Sequence, residues 1–588
     1  DKEKRKLYLC RDRYGEKPLY YFLFDNKFYF ASELKAIQKI HKDKLTINHS
    51  AAEIFLHSGW LPDHTSIYNG VKKLRAGKIL SLEINSKELI IDSYWSIKKT
   101  AEIANSKPFL GSYSDAQNVL DKLISLTVKN EMISDVPIGC ALSGGIDSSL
   151  ISHYMQNNSS KKIKTFTVGF ESNEYNEANY AKEIAHSLES DHHEIYLTDD
   201  DVVKSIENII NIYDEPFADA SQIPTYLISK LASSKVKVLL GGDGGDEIFG
   251  GYTRHLAVRK IVKIINIFPY NLRSFLSQIL LSLNPSAIEF CYKYFFFSNK
   301  HIHISNKVHK FAEVIKANTF EQVYLYMIGL NFEKSNIFFD NYHQSNSDNI
   351  NEVLNYDIAQ KTMLYDTALY LPGDILTKID RASMSVSLET RSPFLNHKIA
   401  EFAWSLPIEF KINGNSQKDI LKKLLLKKIP NYKINRPKSG FSIPIGEWLR
   451  TSLKKWAIEI ISDFNNSNHG YFSESVVMKL FKLSLLIPLI ILWFILFNKI
   501  KKIVWFTLFL ANIILIVNAF SAGLSPRNFD VITYENYSTM SSNEANKFYA
   551  FSKESNTLVI MLDMFQGNIF ADIITSSKSD EYVNGGRF

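Results

Sequence analysis

The chain has 588 residues, 45% of them hydrophobic and 22% charged, with a formal net charge of +6. That length accommodates several domains, and the apolar share excludes an intrinsically disordered chain. The charge excess is too small and too dispersed for a nucleic-acid surface, and three cysteines (Cys10, Cys140, Cys291) without framework or metal-ligand spacing fit a reduced, cytoplasmic protein.

The first residue is Asp1, with no initiator Met and no signal peptide, so the sequence is expected to be cut at its start. Leu7–Cys10, Leu19–Tyr21 and Lys27–Phe30 are short aromatic-rich runs with a turn at Asp25-Asn26, which predicts antiparallel strands, and a helix is expected over Leu34–Ile40. Val71–Gly77 and Ile79–Ile91 read as closing strands. Lys98–Ser114 is polar, with Pro108 and Gly111, and reads as a linker. Val119, Leu120, Leu123, Ile124 and Val128 recur at helical spacing within Asp115–Asn130.

Val136–Leu142 is an apolar run that predicts a buried strand; Cys140 within it reads as a small core residue. It leads into Ser143-Gly144-Gly145-Ile146-Asp147-Ser148-Ser149, and a helix is expected from Leu150. A turn of small residues between strand and helix points backbone N–H groups and a helix N-terminus at one place, an anion site. Asp147 would repel phosphate unless magnesium lay between them. No lysine follows the glycines, so this is not the GxxxxGK[ST] pattern; the loop suits a ligand that leaves as pyrophosphate.

Ile163–Val168 predicts a second strand, Asn176–Leu188 a helix and His193–Leu197 a third strand. Strand alternating with helix predicts an α/β fold with a doubly wound parallel sheet, its ligands at the carboxyl ends of the strands. His192 and His193 have no cysteine or spaced histidine partner, so they read as a strand-edge pair rather than metal ligands. Glu215 and Asp219 lie in a loop, either near the nucleotide or as plain loop carboxylates. Val236–Leu240 predicts another strand, running into Gly241-Gly242-Asp243-Gly244-Gly245-Asp246-Glu247. Four glycines allow close backbone approach, while Asp243, Asp246 and Glu247 would repel one another without a cation or a titrating substrate.

Residues 256–370 are aromatic-rich and predicted helical, an insertion over the site in which Phe295–Phe297 read as core rather than a base-stacking surface. Asp380 with Arg381, and Glu389 with Arg391, read as buried ion pairs; equally, Arg391 could receive a substrate carboxylate in a bidentate fork. Further on, Leu483–Phe497 and Ile503–Phe520 are apolar and flank a lysine loop at Lys499–Lys502. At roughly 22 and 27 Å as helices they predict a transmembrane hairpin over 483–520, with the lysine loop on the cytoplasmic side.

SGGIDSS (from Ser143), TFTVGF (from Thr165) and GGDGGDEIFGGY (from Gly241) together resemble the synthetase half of glutamine-hydrolysing asparagine synthetases. The resemblance implies an adenine-nucleotide α-hydrolase-like sheet over 115–480. It implies ATP and Mg2+ as cofactors, a small carboxylate (aspartate by default, a sugar acid otherwise) and ammonia as substrates, and leaves a homodimer open. It implies that Leu142, Ser143, Gly144, Gly145, Ser148, Ser149, Val168, Gly241 and Gly242 contact the nucleotide and that Asp147 and Asp246 hold magnesium pyrophosphate. Asp243, where relatives commonly carry glutamate, would handle protons as ammonia attacks. Lys438, in Arg436-Pro437-Lys438-Ser439-Gly440, would neutralise the departing pyrophosphate. RDRYGEKPLYY (from Arg11) and FASELKAI (from Phe30) are similar to the C-terminal part of that family's N-terminal-nucleophile glutaminase domain, which makes 1–97 a partial glutaminase domain. Its nucleophile is a cysteine at the mature N-terminus, and Cys10, in a strand without a free amine, does not replace it. Finally, LVIMLDMFQ (Leu558–Gln566) resembles the start of a sulfatase/alkaline-phosphatase-like domain over 556–588, with Asp563 as a metal ligand. A join between two proteins is expected between Ser475 and Leu486.

Overall fold

Short strands whose buried and exposed residues alternate build the first layer of this computed structural model. The structure describes residues 1–41, 44–170, 176–285, 304–329 and 356–432, with isolated positions 288, 289, 292 and 459. The elements below belong to the compact unit built on Asp1–Ile445. Strands β1 (Lys6–Cys10), β2 (Tyr20–Phe24), β3 (Lys27–Ala31), β4 (Lys72–Lys73), β5 (Lys78–Glu83) and β6 (Leu89–Ser93) form two antiparallel sheets, ordered β1-β5-β6 and β3-β2-β4. Leu9, Leu80 and Leu82 of the first sheet share a core with Tyr21 of the second and with Leu74. The β2–β3 hairpin turns on Asp25 and Asn26 at φ +50° and +61°, the paired left-handed conformation of a two-residue type I′ turn. Helices α1 (Leu34–His41) and α2 (His49–Ser58) follow β3.

The stretch expected to be a linker is largely helix. Ser96 caps α3 (Ile97–Ser106) by accepting from the Lys99 N–H. Ile97, Ala101 and Ala104 bury its inner face, and Tyr356 donates its hydroxyl to the Ala101 carbonyl at 2.5 Å. Helix formation there is driven by that docking, and only the short run before the Ser112 cap of α4 (Tyr113–Glu131) is irregular.

The central sheet holds β7 (Ile138–Ala141), β8 (Lys164–Phe170), β9 (Asp191–Leu197), β10 (Val238–Leu240) and β11 (Glu389–Arg391), all parallel, in the order β11-β10-β7-β8-β9. Helix α5 (Ile146–Asn157) follows β7, α6 (Ala178–Ser187) follows β8, and α7 (Asp199–Ile212) and α8 (Gln222–Ser233) follow β9. Thr165–Phe170 of β8 is buried throughout, as expected of a strand covered on both faces. Strand order reverses between β7 and β10, so the two lie side by side, with Cys140 opposite Leu240. A doubly wound sheet opens a crevice at such a reversal, outside the carboxyl ends of the strands.

Beyond β10 come α9 (Gly245–Phe249), α10 (Thr253–Ile267) and α11 (Tyr270–Ser282). The described parts of the expected helical insertion are helical, with Val258, Ile261, Val314, Ala317 and Val323 at their core. A π-helix at Asp366–Ile375 leads into the helix Leu376–Met384. Among the described residues no helix is long and apolar enough to cross a membrane. The expected hairpin at 483–520, the sulfatase-like stretch at 556–588, the join, Cys291, Phe295–Phe297 and Lys438 lie outside the described residues.

Candidate active site

The first special turn leaves β7 at Leu142 and enters α5 at Ile146, four residues earlier than expected. Gly144 sits at φ +72°, and Gly145 is the helix cap with no side chain closing it. The first-turn N–H groups of α5 are thus not used up by a capping side chain, and the helix dipole favours an anion there. The serines hold the loop's shape: Ser148 Oγ accepts from the Ser143 N–H at 3.2 Å and lies 3.0 Å from Ser143 Oγ, which in turn accepts from the Gly145 N–H at 3.2 Å. Ser149 is fully buried. From the far side, the buried Tyr432 hydroxyl donates to the Gly144 carbonyl at 3.1 Å.

The second turn leaves β10 at Gly241 on the neighbouring strand. Its glycines are there for space. A Cβ on Gly242 would stand 2.7 Å from Asp147 Cβ, one on Gly245 2.8 Å from Asp147 Cγ, and one on Gly241 2.6 Å from Asp243 Oδ2. Two loops about a hundred residues apart in sequence are therefore packed backbone to side chain, with Asp147 between them.

Lys418 completes this arrangement, and sequence reasoning missed it. Its ammonium pairs with Asp147 Oδ2 and lies 2.7 Å from Asp246 Oδ1. Burial pulls the lysine's pKa down, but the charges of Asp147 and Asp246 outweigh it and hold it above the ordinary value. Lys418 follows the tight hairpin Ile412–Asn413/Ser416–Gln417 and precedes the helix Asp419–Lys428. It adopts the left-handed conformation, φ +50°, at 3% exposure. Its Cε runs through the space that a side chain at Gly251 would fill, which accounts for the second glycine of Phe249-Gly250-Gly251-Tyr252. Two carboxylates that share one cation fit magnesium by donor chemistry, and oxygen ligands of this kind with phosphate completing the set are its usual company.

A second polar cluster lies alongside. Lys378 pairs with Asp219 and donates to Ser221 Oγ at 2.7 Å. Burial pushes the Asp219 carboxyl up, but Lys378 outweighs it and holds it below the usual range. Neighbouring Asp374 is raised well above that range by burial and by Asp219. Burial also pushes Asp243 up, to about 6, with Asp147 and Asp246 adding to it and Lys378 opposing. Asp243 thus changes charge close to neutrality, as a proton acceptor requires.

The remaining expected residues are placed less centrally. Leu142 and Val168 are both buried, on β7's exit and on β8. Arg391 ends β11, but its guanidinium turns away from both loops: Nε meets Glu389 at 2.7 Å, and Nη1 donates to the Glu131 and Ile133 carbonyls at 2.5 and 2.9 Å. In this structure it ties off the end of α4 and is not presented to a substrate carboxylate. Glu215 is likewise taken up elsewhere. It accepts from the Tyr20 hydroxyl and the Ile67 N–H, both at 2.9 Å, and pairs with Lys73 at 2.6 Å. It joins the N-terminal sheets to the loop between α7 and α8. His192 and His193 pair with Glu194 and Asp191, and no group of three or more metal-ligating side chains occurs among the described residues.

With this geometry in place, two family models match the chain: asparagine synthase over residues 119–486 and a glutamine amidotransferase domain over residues 1–95. Asparagine synthetase [glutamine-hydrolyzing] 1 of Bacillus subtilis is 28% identical over 488 residues, 82% of this chain and 72% of that protein. A putative asparagine synthetase [glutamine-hydrolyzing] 2 of Methanocaldococcus jannaschii is 38% identical over 277 residues, 45% of this chain and 52% of that protein. Amidase chry2 of Gibberella zeae is 23% identical over 505 residues, 80% of this chain and 72% of that protein.

Proposed function

Because this chain belongs to the asparagine synthase family and is an amidotransferase-type ligase, we propose that it converts aspartate to asparagine through a β-aspartyl-adenylate, releasing AMP and pyrophosphate. The observation that carries this reading is the meeting of the two glycine-acid loops at the strand reversal, where the open N-terminus of α5 and a carboxylate pair face one place. Ser143–Ser149 would hold the β- and γ-phosphates of ATP, and Leu142 and Val168 its adenosine, with the α-phosphorus left for the substrate carboxylate. Attack there forms the acyl–phosphate bond and breaks the bond to pyrophosphate. Asp147 and Asp246 would hold magnesium, which when bound neutralises the pyrophosphate. Lys418 and Lys438 add positive charge where negative charge builds on the leaving group.

Ammonia then attacks the activated carbonyl, and AMP leaves. Asp243, with its carboxyl near 6, accepts the proton that the attacking nitrogen must lose. Ammonia is the nitrogen donor, supplied free or released from glutamine.

The acid could instead be another small carboxylate, such as a sugar acid. Two features favour keeping that reading: Arg391 is engaged away from the loops, and relatives as different in name as a synthetase and an amidase lie at similar identity. The test is incubation of the full chain with ATP, magnesium and ammonium and a panel of acids. Aspartate-dependent AMP and pyrophosphate are expected. ADP in place of AMP would overturn adenylation, and turnover only with another acid would move the substrate.

A further inference from the structure

Lys418 stands between the two carboxylates that, on the reading above, belong to magnesium. An ammonium paired with Asp147 and 2.7 Å from Asp246 sits where a divalent ion bridging the same oxygens would have to sit. Both cannot be there. The chain also goes to some trouble to deliver this lysine. Its backbone is left-handed, a conformation that non-glycine residues rarely adopt. Its stem is buried and passes over Gly251, where any side chain would collide with it. Without a cation, Asp147 and Asp246 would be like charges facing one ammonium-sized gap, and the two glycine loops would repel each other at their point of contact.

We infer that Lys418 is a resident counter-ion: it holds Asp147 and Asp246 together in the nucleotide-free protein and yields them when a metal–nucleotide complex arrives. Free divalent ions then compete with a covalently tethered, desolvated ammonium, and the empty protein retains none. A metal that arrives with a triphosphate brings extra anionic ligands, which give the displaced ammonium a new partner in the phosphates. Metal and nucleotide are therefore taken up as a unit. In the nucleotide-free protein Lys418 acts as a counter-ion to the carboxylate pair, and the inference rests on the nucleotide reading only for what displaces it.

The test reads metal binding directly. Manganese is titrated into the full chain without nucleotide and followed by the loss of the free-ion electron paramagnetic resonance signal. Lys418→Met is expected to bind one manganese at least tenfold more tightly than the unsubstituted chain, and Lys418→Met/Asp246→Asn to lose that gain. Lys418→Gln, which keeps a hydrogen-bonding tip without charge, should show the same direction if the methionine variant folds poorly by circular dichroism. Magnesium alone should raise the melting temperature of Lys418→Met and not that of the unsubstituted chain. Equal manganese affinity with and without Lys418 would overturn the inference, as would a gain that survives loss of Asp246. Titration with manganese–ATP separates the two readings: if the unsubstituted chain fails to bind it, the nucleotide assignment falls, while the nucleotide-free comparison still decides the role of Lys418.

Discussion

Lys411 is a charge-bearing side chain buried where, among the described residues, no carboxylate pairs with it. It is fully inaccessible, donates to the Ala403 carbonyl at 2.8 Å and lies 5.0 Å from the Trp404 ring centre. Burial pulls its pKa down to about 7. Unfolded, the same lysine titrates near 10.5, so between those values the unfolded chain holds a proton that the folded chain does not. Its contribution to stability is complete above about 10.5, falls as pH drops, and is lost below about 7. Lys411→Met should therefore raise the melting temperature relative to the unsubstituted chain at pH 6.5, with the difference shrinking toward pH 10; calorimetry at both pH values checks it. Cys140 makes a companion prediction. It is buried, takes a hydrogen bond from Ser152 Oγ at 3.2 Å, and burial pushes its thiol up to about 12. At neutral pH a thiol reagent should label exposed Cys10 and spare Cys140 until the protein is unfolded. On the reading proposed for the site, Asp147→Asn or Asp246→Asn should lower pyrophosphate release by roughly two orders of magnitude.

The two glycine loops were legible because their chemistry is local: small residues and acids between an apolar run and a helix leave few other structures. Their meeting makes a sharper demand than composition could express. Gly242→Ala would put a methyl 2.8 Å from the Ser148 nitrogen and 3.0 Å from the Asp147 carbonyl carbon, both backbone atoms that cannot swing aside. Overpacking of this kind costs about 1–3 kcal/mol. We expect a folded variant with severely weakened nucleotide binding, measurable by calorimetric titration, whereas Gly414→Ala, where nothing lies within 4 Å, should bind as before despite its strained φ of +57°. Lys418 was not legible. It is 271 residues from Asp147, and only the hairpin at 412–417 and the left-handed turn after it aim it there. Helix α3 was missed for another reason. Pro108 and Gly111 mark a real break, but they lie beyond the helix, whose start is signalled by Ser96 alone. Arg391 shows the limit of reading charge from sequence: fork chemistry suits a carboxylate ligand and helix-end carbonyls equally well, and in this structure the guanidinium holds the Glu131 and Ile133 carbonyls.

The N-terminal sheets are joined by charge to the loop between α7 and α8 and to the helix Leu376–Met384. Glu215 receives Lys73, Tyr20 and the Ile67 backbone, while Arg381 donates to the Ser32 carbonyl at 3.1 Å and approaches Glu33 and Asp214. Removing one partner of a buried pair typically costs about 3–5 kcal/mol, because the other is left unanswered. Glu215→Ala should strand Lys73 and loosen the N-terminal sheets first, seen as a low-temperature shoulder in calorimetry and early proteolysis within residues 1–95. A single unshifted transition would remove the joint from the account. The doubly wound sheet was legible from alternating strands and helices, yet its strand order was not, since alternation alone does not say on which side of β7 the later strands add. That order has a consequence in time. With β10 and β11 added outside β7, the crevice is lined by segments that leave the ribosome in sequence: first 143–149, then 241–247, then 389–391, and last Lys418 and Tyr432. Because synthesis runs at about 5–20 residues per second, the acidic pair waits on the order of ten seconds for its lysine. During that interval the chain lacks the cation that pairs with Asp147 and Asp246 in the finished fold.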